Sequence, residues 1–211
     1  MEKIGILGSG SVGKAIADGF LKLGNNVMIG TRDKNKLTDW LKNAGKNAYT
    51  GSFAETAKFG ELLMLCCKGE AVEDVINLAG KDNFSGKIVI DVTNPLLFEE
   101  KGPKLSIGYP DSLGAQIQKM LPKGRIVKAF NTVTATYMCN PKIKDESLIL
   151  FVAGNDAVAK KKVNEIAANW GWVVEDIGDI EQSYLLEAFA MLWIRYGFLN
   201  NKWTHAFKLL K

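Results

Sequence analysis

Three glycines, Gly8, Gly10 and Gly13, stand in the run Leu7-Gly8-Ser9-Gly10-Ser11-Val12-Gly13, the G-x-G-x-x-G spacing of a turn that cradles a diphosphate. In such a turn Gly8 permits the tight bend, Gly10 leaves the backbone open to close approach, and Gly13 lets the following helix lie close on the strand before it. The helix start presents unpaired N–H groups and a partial positive charge to an anion. Ser9 and Ser11 can add hydroxyl donors, and Val12 opens the helix. A second group of residues, Thr31, Arg32 and Lys36, follows a short apolar run at the place where an NAD site usually carries an Asp or Glu for the ribose hydroxyls. A guanidinium there can stack on adenine and pair with a 2'-phosphate, Thr31 can donate a hydroxyl, and Lys36, one helical turn on, adds charge. The pattern predicts NADP(H) rather than NAD(H). Asp33 is the opposing residue: it either turns to the ribose or caps a helix beginning near Lys34.

A third group sits where strands end in polar loops. Asn94-Pro95 and Asn131-Thr132 are expected to position the nicotinamide for hydride transfer, and Cys67-Lys68 to flank the diphosphate. Each of these polar side chains can equally serve to satisfy loop backbone groups. Cys67 has two readings, a redox thiol or a small buried hydrophobe. No residue pair suited to acid–base catalysis is evident; for a carbonyl or imine substrate, Lys68, the single histidine His205 or a tyrosine would have to supply a proton.

The elements that must hold these groups are legible from apolar periodicity. Residues 4–7, 26–30, 47–50, 61–67, 87–92, 125–130, 147–153 and 172–175 read as strands, with 61–67 the fourth strand, next to the first, apolar throughout and so buried on both faces. The helix after the glycine turn carries Val12, Ile16, Phe20 and Leu23 on its apolar side. Helices are expected over 35–43 (Leu37, Trp40 and Leu41 inward), 52–59 (capping box Ser52 and Glu55), 70–79, 112–121 and 155–170 (Val158, Val163, Ile166 and Ala167 inward). Residues 96–109 show no clean period and are expected to form a long loop. Alternating strands and helices argue an α/β fold, a Rossmann-type doubly wound, mostly parallel sheet. Residues 1–178 form its nucleotide-binding domain. Residues 179–211 form a small C-terminal helical appendage: 182–199 is a helix apolar over most of its circumference, interrupted by Glu187 and Arg195. Those charges exclude a membrane span. Its apolar surface must be covered, within the monomer or by a second subunit.

A chain of 211 residues holds one such domain with its appendage, and a net charge of +4 from scattered basic residues argues against nucleic-acid binding. The start of the sequence lacks a signal-peptide layout, which predicts a cytoplasmic protein. Three cysteines, Cys66, Cys67 and Cys139, lack zinc spacing, so reduced thiols and no metal are expected.

Taken together, Ile4-Gly-Ile-Leu-Gly-Ser-Gly-Ser-Val-Gly, Thr31-Arg32 with Lys36, Asp91-Val-Thr-Asn-Pro-Leu, Lys128-Ala-Phe-Asn-Thr-Val, and Leu186-Glu-Ala after Asp176-Ile-Gly resemble the F-420-dependent NADP oxidoreductases, and more distantly the reductase domain of the STEAP metalloreductases. The resemblance covers nearly the whole chain. It implies hydride transfer between NADP(H) and a stacked flavin or deazaflavin (F-420-like) ring, in a homodimer, with the family's cofactor residues carried by Ser9, Ser11, Val12, Thr31, Arg32 and Lys36. The chain departs from it at Asn131, where a histidine is expected of an F-420 enzyme, and in its C-terminal residues. Such transfer needs alignment and water exclusion more than an acid or base. Two other classes compete: a reductase of small imines or ketones, because the glycine motif also resembles pyrroline-carboxylate reductase, and a non-catalytic NADPH-binding module.

Overall fold

The computed structural model describes residues 1–144 and 146–210. Along the chain lie β1 (Lys3–Leu7), α1 (Ser11–Lys22), β2 (Asn26–Gly30), α2 (Thr38–Ala44), β3 (Ala48–Gly51), α3 (Phe53–Phe59), β4 (Leu62–Leu65), α4 (Val72–Ala79) and β5 (Ile88–Asp91). They are followed by β6 (Leu96–Glu99), β7 (Gly102–Leu105), α5 (Leu113–Met120), β8 (Arg125–Lys128), α6 (Ala135–Met138), β9 (Lys142–Ile143) and β10 (Glu146–Ser147). The last elements are β11 (Ile149–Gly154), α7 (Ala157–Trp170), β12 (Val173–Asp176) and α8 (Ser183–Asn200).

Eight strands form one sheet in the order β12-β11-β8-β5-β4-β1-β2-β3. From β3 to β8 every neighbouring pair is parallel. β11 joins the edge antiparallel to β8, with Ala153 opposite Lys128, and β12 runs parallel to β11. The chain winds outward from β1 through β2 to β3, then returns to β4 on the other side of β1. This makes β1/β4 the topological switch point, and their carboxyl ends bound the crevice where such sheets take ligands.

The alternation of strand side chains divides the core in two. Ile4, Ile6, Leu62 and Met64 face α1 and α7 with Phe20, Val163 and Trp170, whereas Leu7, Leu63 and Leu65 face α4 and α5 with Val75, Ile76 and Ile117. The doubly wound, mostly parallel architecture is therefore as expected, and β4 is buried along its whole length beside β1.

Several local expectations change. Residues 96–109 contain a hairpin, β6 paired antiparallel with β7, which the broken pattern around Gly102 and Pro103 concealed. The stretch after Arg32 begins with a 3-10 turn, Lys34–Leu37, before α2. In α7, Val158 points outward, 66% exposed, and the buried stripe is Ala159, Val163, Ile166, Ala167 and Trp170. The Ser52/Glu55 capping box is present: the Glu55 amide donates to Ser52 Oγ at 3.2 Å and the Ser52 amide to Glu55 Oε2 at 2.6 Å. Among the described residues no helix is long and apolar enough to cross a membrane, and no cluster of three or more potential metal ligands occurs.

Candidate active site

Gly8 has φ +140°, and a Cβ on it would lie 2.4 Å from the Cys66 carbonyl oxygen, so both conformation and space demand glycine. A Cβ on Gly13 would meet the Gly8 carbonyl at 2.0 Å, which is the close approach of α1 to the turn. A Cβ on Gly10 would meet nothing within 4 Å. Gly10 is also the N-cap of α1, with no capping side chain and no acidic residue in the first turn. The leading amides of a twelve-residue helix thus open, unneutralised, beside a vacant space.

That space is a cavity of about 300 Å³ walled by Gly8, Ser9, Gly10, Thr31, Arg32, Asp33, Lys36, Cys66, Cys67 and Lys68. Ser11, Val12 and Gly13 form the first turn of α1 behind it. Phe53, Ala71 and Val75 supply an apolar wall that the sequence reading missed. Thr31 is buried, and its hydroxyl accepts from Ser9 Oγ at 3.0 Å and from the Asp33 amide at 3.2 Å while donating to the Asp33 carbonyl at 3.1 Å. The donor expected for a phosphate is thereby committed to shaping the turn. Asp33 caps the Lys34–Leu37 turn, as expected, by accepting from the Asn35 amide at 3.0 Å, and it also lines the cavity. Arg32 and Lys68 are exposed and loosely paired, Arg32 with Asp74 at 3.9 Å and Lys68 with Glu70 at 3.5 Å. Exposed pairs of this kind are weak, worth about 0–1 kcal/mol, so both cations remain available to an anion.

Cys67 is a wall of the cavity but a poor nucleophile. Burial, reinforced by the charge of Asp91, pushes its thiol up to about 12, and Cys66 is driven well above its ordinary value mainly by burial. A thiol held protonated is a weak nucleophile, which favours the reading of half-buried Cys67 as an apolar part of the wall.

Toward the other side of the switch point, Asn94 and Asn131 bind each other. Asn94 Nδ2 donates to the Asn131 carbonyl at 2.8 Å, and Asn131 Nδ2 donates to Asn94 Oδ1 at 2.9 Å and to the Leu186 carbonyl at 3.0 Å. Phe130, fully buried at φ +61°, makes the sharp turn that aims Asn131 into this pair. Pro95 is buried beside Asn94 and lines a second cavity, of about 440 Å³, with Gly69 and Leu113; Thr132 is half-buried. Beneath them lies a cluster with no solvent contact. Lys128 Nζ donates to Asp91 Oδ2 at 2.9 Å, Glu187 Oε1 at 2.9 Å and the Thr93 carbonyl at 2.6 Å. Asp91 Oδ1 accepts from the Thr93 amide and hydroxyl, and Glu187 accepts from the Leu113 and Gly114 amides, both at 3.0 Å, capping α5. Burial alone would lower the Lys128 pKa, but Asp91 and Glu187 outweigh it and the net shift is upward.

Comparison with known proteins completes the picture. The family model described as NADP oxidoreductase, coenzyme F420-dependent, matches residues 3–95. A crystal structure from Arthrobacter sp. FB24, of a protein assigned as an F420-dependent NADP reductase, is 34% identical, with a TM-score of 0.95 and 100% of both chains covered. The chain belongs to the F420-dependent NADP oxidoreductase family. That family is one of NADP-dependent oxidoreductases. Metalloreductase STEAP3 of Rattus norvegicus is 24% identical over 189 residues, which are 90% of this chain and 36% of the rat protein, so the chain spans about a third of the curated relatives it matches. A reductive aminase from Aspergillus terreus, solved with NADPH and ethyl levulinate, shares the fold, with a TM-score of 0.70 and 22% identity over 95% of this chain and 63% of that one.

In this member of the family the sequence reading passed over Glu187 as an interruption in an apolar helix and assigned Lys128 no role. A carboxylate inside an apolar run was the available signal, because a buried charge requires a partner. His205, named as a proton donor, instead packs on α8: its ring stacks on Trp193 at 4.7 Å, its Nε2 lies 3.0 Å from the Trp193 carbonyl, and Trp193 Nε1 donates to the His205 carbonyl at 2.8 Å.

Proposed function

We propose that this member of the F420-dependent NADP oxidoreductase family binds NADP(H) and transfers a hydride between it and a flavin or deazaflavin (F-420-like) acceptor. It works as a homodimer in which residues 179–211 complete the acceptor side of a nucleotide-binding unit formed by residues 1–178. The observation that carries the reading is the uncapped start of α1 opening over Gly10, beside Arg32 and Lys36, at the end of a β2 whose nearby carboxylate, Asp33, is spent on a helical turn. This is a site for phosphates: backbone amides and a helix end for the diphosphate, two cations for a 2'-phosphate.

The residues present fit the dinucleotide. The α1 amides, with the Ser11 hydroxyl, would hold the diphosphate, flanked by Cys67 and Lys68, while the Ser9 hydroxyl, like Thr31, shapes the turn; Arg32 and Lys36 would hold the 2'-phosphate, and Phe53, Ala71 and Val75 offer the adenosine an apolar wall. When bound, NADPH supplies a hydride from its dihydronicotinamide to the acceptor ring, leaving NADP+, with the accompanying proton drawn from water. Asn94, Pro95, Asn131 and Thr132 form the polar edge that positions the reacting rings. Asn94 and Asn131 do so by locking the two loops together, not by offering a proton. The assignment of the Arthrobacter protein supports the choice of acceptor class.

Arg32→Ala tests the cofactor. Loss of a charge-assisted contact worth about 1.5–3 kcal/mol weakens NADPH roughly 10- to 100-fold and leaves NADH nearly unchanged, read by fluorescence titration. Equal weakening of both removes the 2'-phosphate assignment. Stopped-flow mixing of NADPH-loaded protein with FMN, FAD, F-420 and small carbonyl or imine acceptors tests the reaction. Rapid oxidation by the tricyclic rings is expected, whereas oxidation by the carbonyl or imine compounds alone defeats the proposal.

A further inference from the structure

We infer that Lys128 and Glu187 are positioning residues for hydride transfer, holding α8 in fixed register against the loops that follow β5 and β8. The inference rests on the proposed function, in which those loops face the nicotinamide and α8 lies on the acceptor side. Lys128 donates to three acceptors on three segments: Asp91 at the end of β5, the Thr93 carbonyl in the loop beyond it, and Glu187 on α8. Glu187 passes the connection on to the start of α5 through the Leu113 and Gly114 amides. A second tie runs in parallel, because Asn131 grips the carbonyl of Leu186, the residue next to Glu187, while it binds Asn94. Two adjacent residues of α8 are thus held from the end of β8 by two side chains three positions apart, Lys128 on the strand and Asn131 in the loop beyond it.

Stability does not explain such a cluster. A buried ion triad can often be replaced by apolar side chains of similar volume without loss, and Leu186, Ala190 and Trp193 already bury one face of α8. Apolar contacts tolerate sliding; hydrogen bonds of fixed length and direction do not. The two carboxylates and one ammonium leave one negative charge, which the first amides of α5 offset. The side chains of Lys128, Asp91 and Glu187 are 0%, 0% and 1% exposed, so none can touch a substrate, and they act only through what they hold.

Glu187→Gln tests the inference, because it keeps the shape but sets an amide donor against the α5 amides. Three readings are taken: NADPH affinity by fluorescence titration, single-turnover hydride transfer to FMN by stopped flow, and amide exchange in the ligand-free protein. The expected result is an NADPH Kd within twofold of wild type and a hydride-transfer rate at least tenfold lower. Exchange should rise across residues 93–96 and α8 as well as at the start of α5, with the glycine turn unaffected. A rate within twofold of wild type in the folded variant, or faster exchange confined to the start of α5, reduces Glu187 to a helix cap and overturns the inference. If Glu187→Gln does not fold, the double variant Lys128→Met, Glu187→Gln, which leaves Asp91 its two bonds from Thr93, is read in the same way. Failure of both to fold also overturns it, since the cluster then serves the fold as such. Should wild-type protein bind no NADPH or reduce no acceptor, the proposed function falls instead, and the exchange pattern alone decides whether the cluster holds α8 to the loops.

Discussion

The carboxylate of Asp33 accepts the Asn35 amide and the hydroxyl of Thr31 is bonded three ways, so the side chains on either side of Arg32 hold the shape of the turn after β2. Thr31→Val removes a buried hydroxyl and strands the Asp33 amide. It should cost about 1–3 kcal/mol, which for a chain of this size lowers the thermal midpoint by about 2–4 °C per kcal/mol. Scanning calorimetry measures the shift. Lys128→Met, which leaves two carboxylates buried beside each other, should cost about 3–5 kcal/mol in urea unfolding. The cysteines make a prediction about pH. Cys67 and Cys139 ordinarily titrate near 9.0, and burial raises each to about 12 in the folded chain. The folded state therefore resists thiolate formation, and the stability due to these groups is fully present below pH 9 and lost as pH climbs toward 12. Iodoacetamide should accordingly leave Cys67 unmodified at pH 7, read by mass spectrometry of the folded protein.

At the scale of elements, α8 is two-faced. Ser183, Leu186, Ala190, Trp193 and Gly197 are buried against the chain, while Leu185, Leu192, Tyr196 and Leu199, about a third of a turn round the same helix, are exposed. The closing segment is laid along this helix by the reciprocal Trp193 and His205 bonds and by Phe207 against Phe189. His205→Ala should therefore make residues 202–210 more sensitive to limited proteolysis than in the wild-type chain; equal resistance would show that the closing segment is held without the imidazole. The strands and most helices were legible because burial imposes a pattern, an unbroken apolar run in β4 and a period near 3.6 in α1. What escaped was whatever depends on partners distant in sequence. The direction of β11 is set by its pairing with β8, the β6–β7 hairpin by cross-strand bonds around a proline, and the role of Glu187 by a lysine 59 positions earlier. Val158 was misplaced by a single position on the wheel, a distinction that periodicity in a first helical turn cannot draw. The glycine turn, by contrast, was readable because its constraints lie within the motif.

At the scale of the whole molecule, Arg32, Lys36 and Lys68 line the cavity at the carboxyl ends of β1, β2 and β4, and several large exposed apolar side chains lie on α8 and the β6–β7 hairpin, where Phe98 is 75%, Phe198 53% and Leu199 68% exposed. The hairpin and the helix are contiguous, since Arg195 Nη1 donates to the Lys101 carbonyl and the Phe198 ring lies 3.5 Å from the position of a Cβ on Gly102. Monomers seldom leave so wide an apolar patch in water. A second copy covering it would bury the outer stripe of α8, shield the acceptor side from solvent and leave the cationic cavity untouched. Sedimentation equilibrium should therefore show a species of twice the chain mass at micromolar concentration. Pairing Leu192→Asp with Leu199→Asp, both on the outer stripe and outside the core, should give a folded monomer whose NADPH affinity stays within twofold of wild type. Its turnover with a flavin should fall at least tenfold, because water then reaches the rings between which the hydride passes. A wild-type chain that sediments as a monomer, or a monomeric variant with undiminished turnover, would show that the acceptor side is complete without a partner.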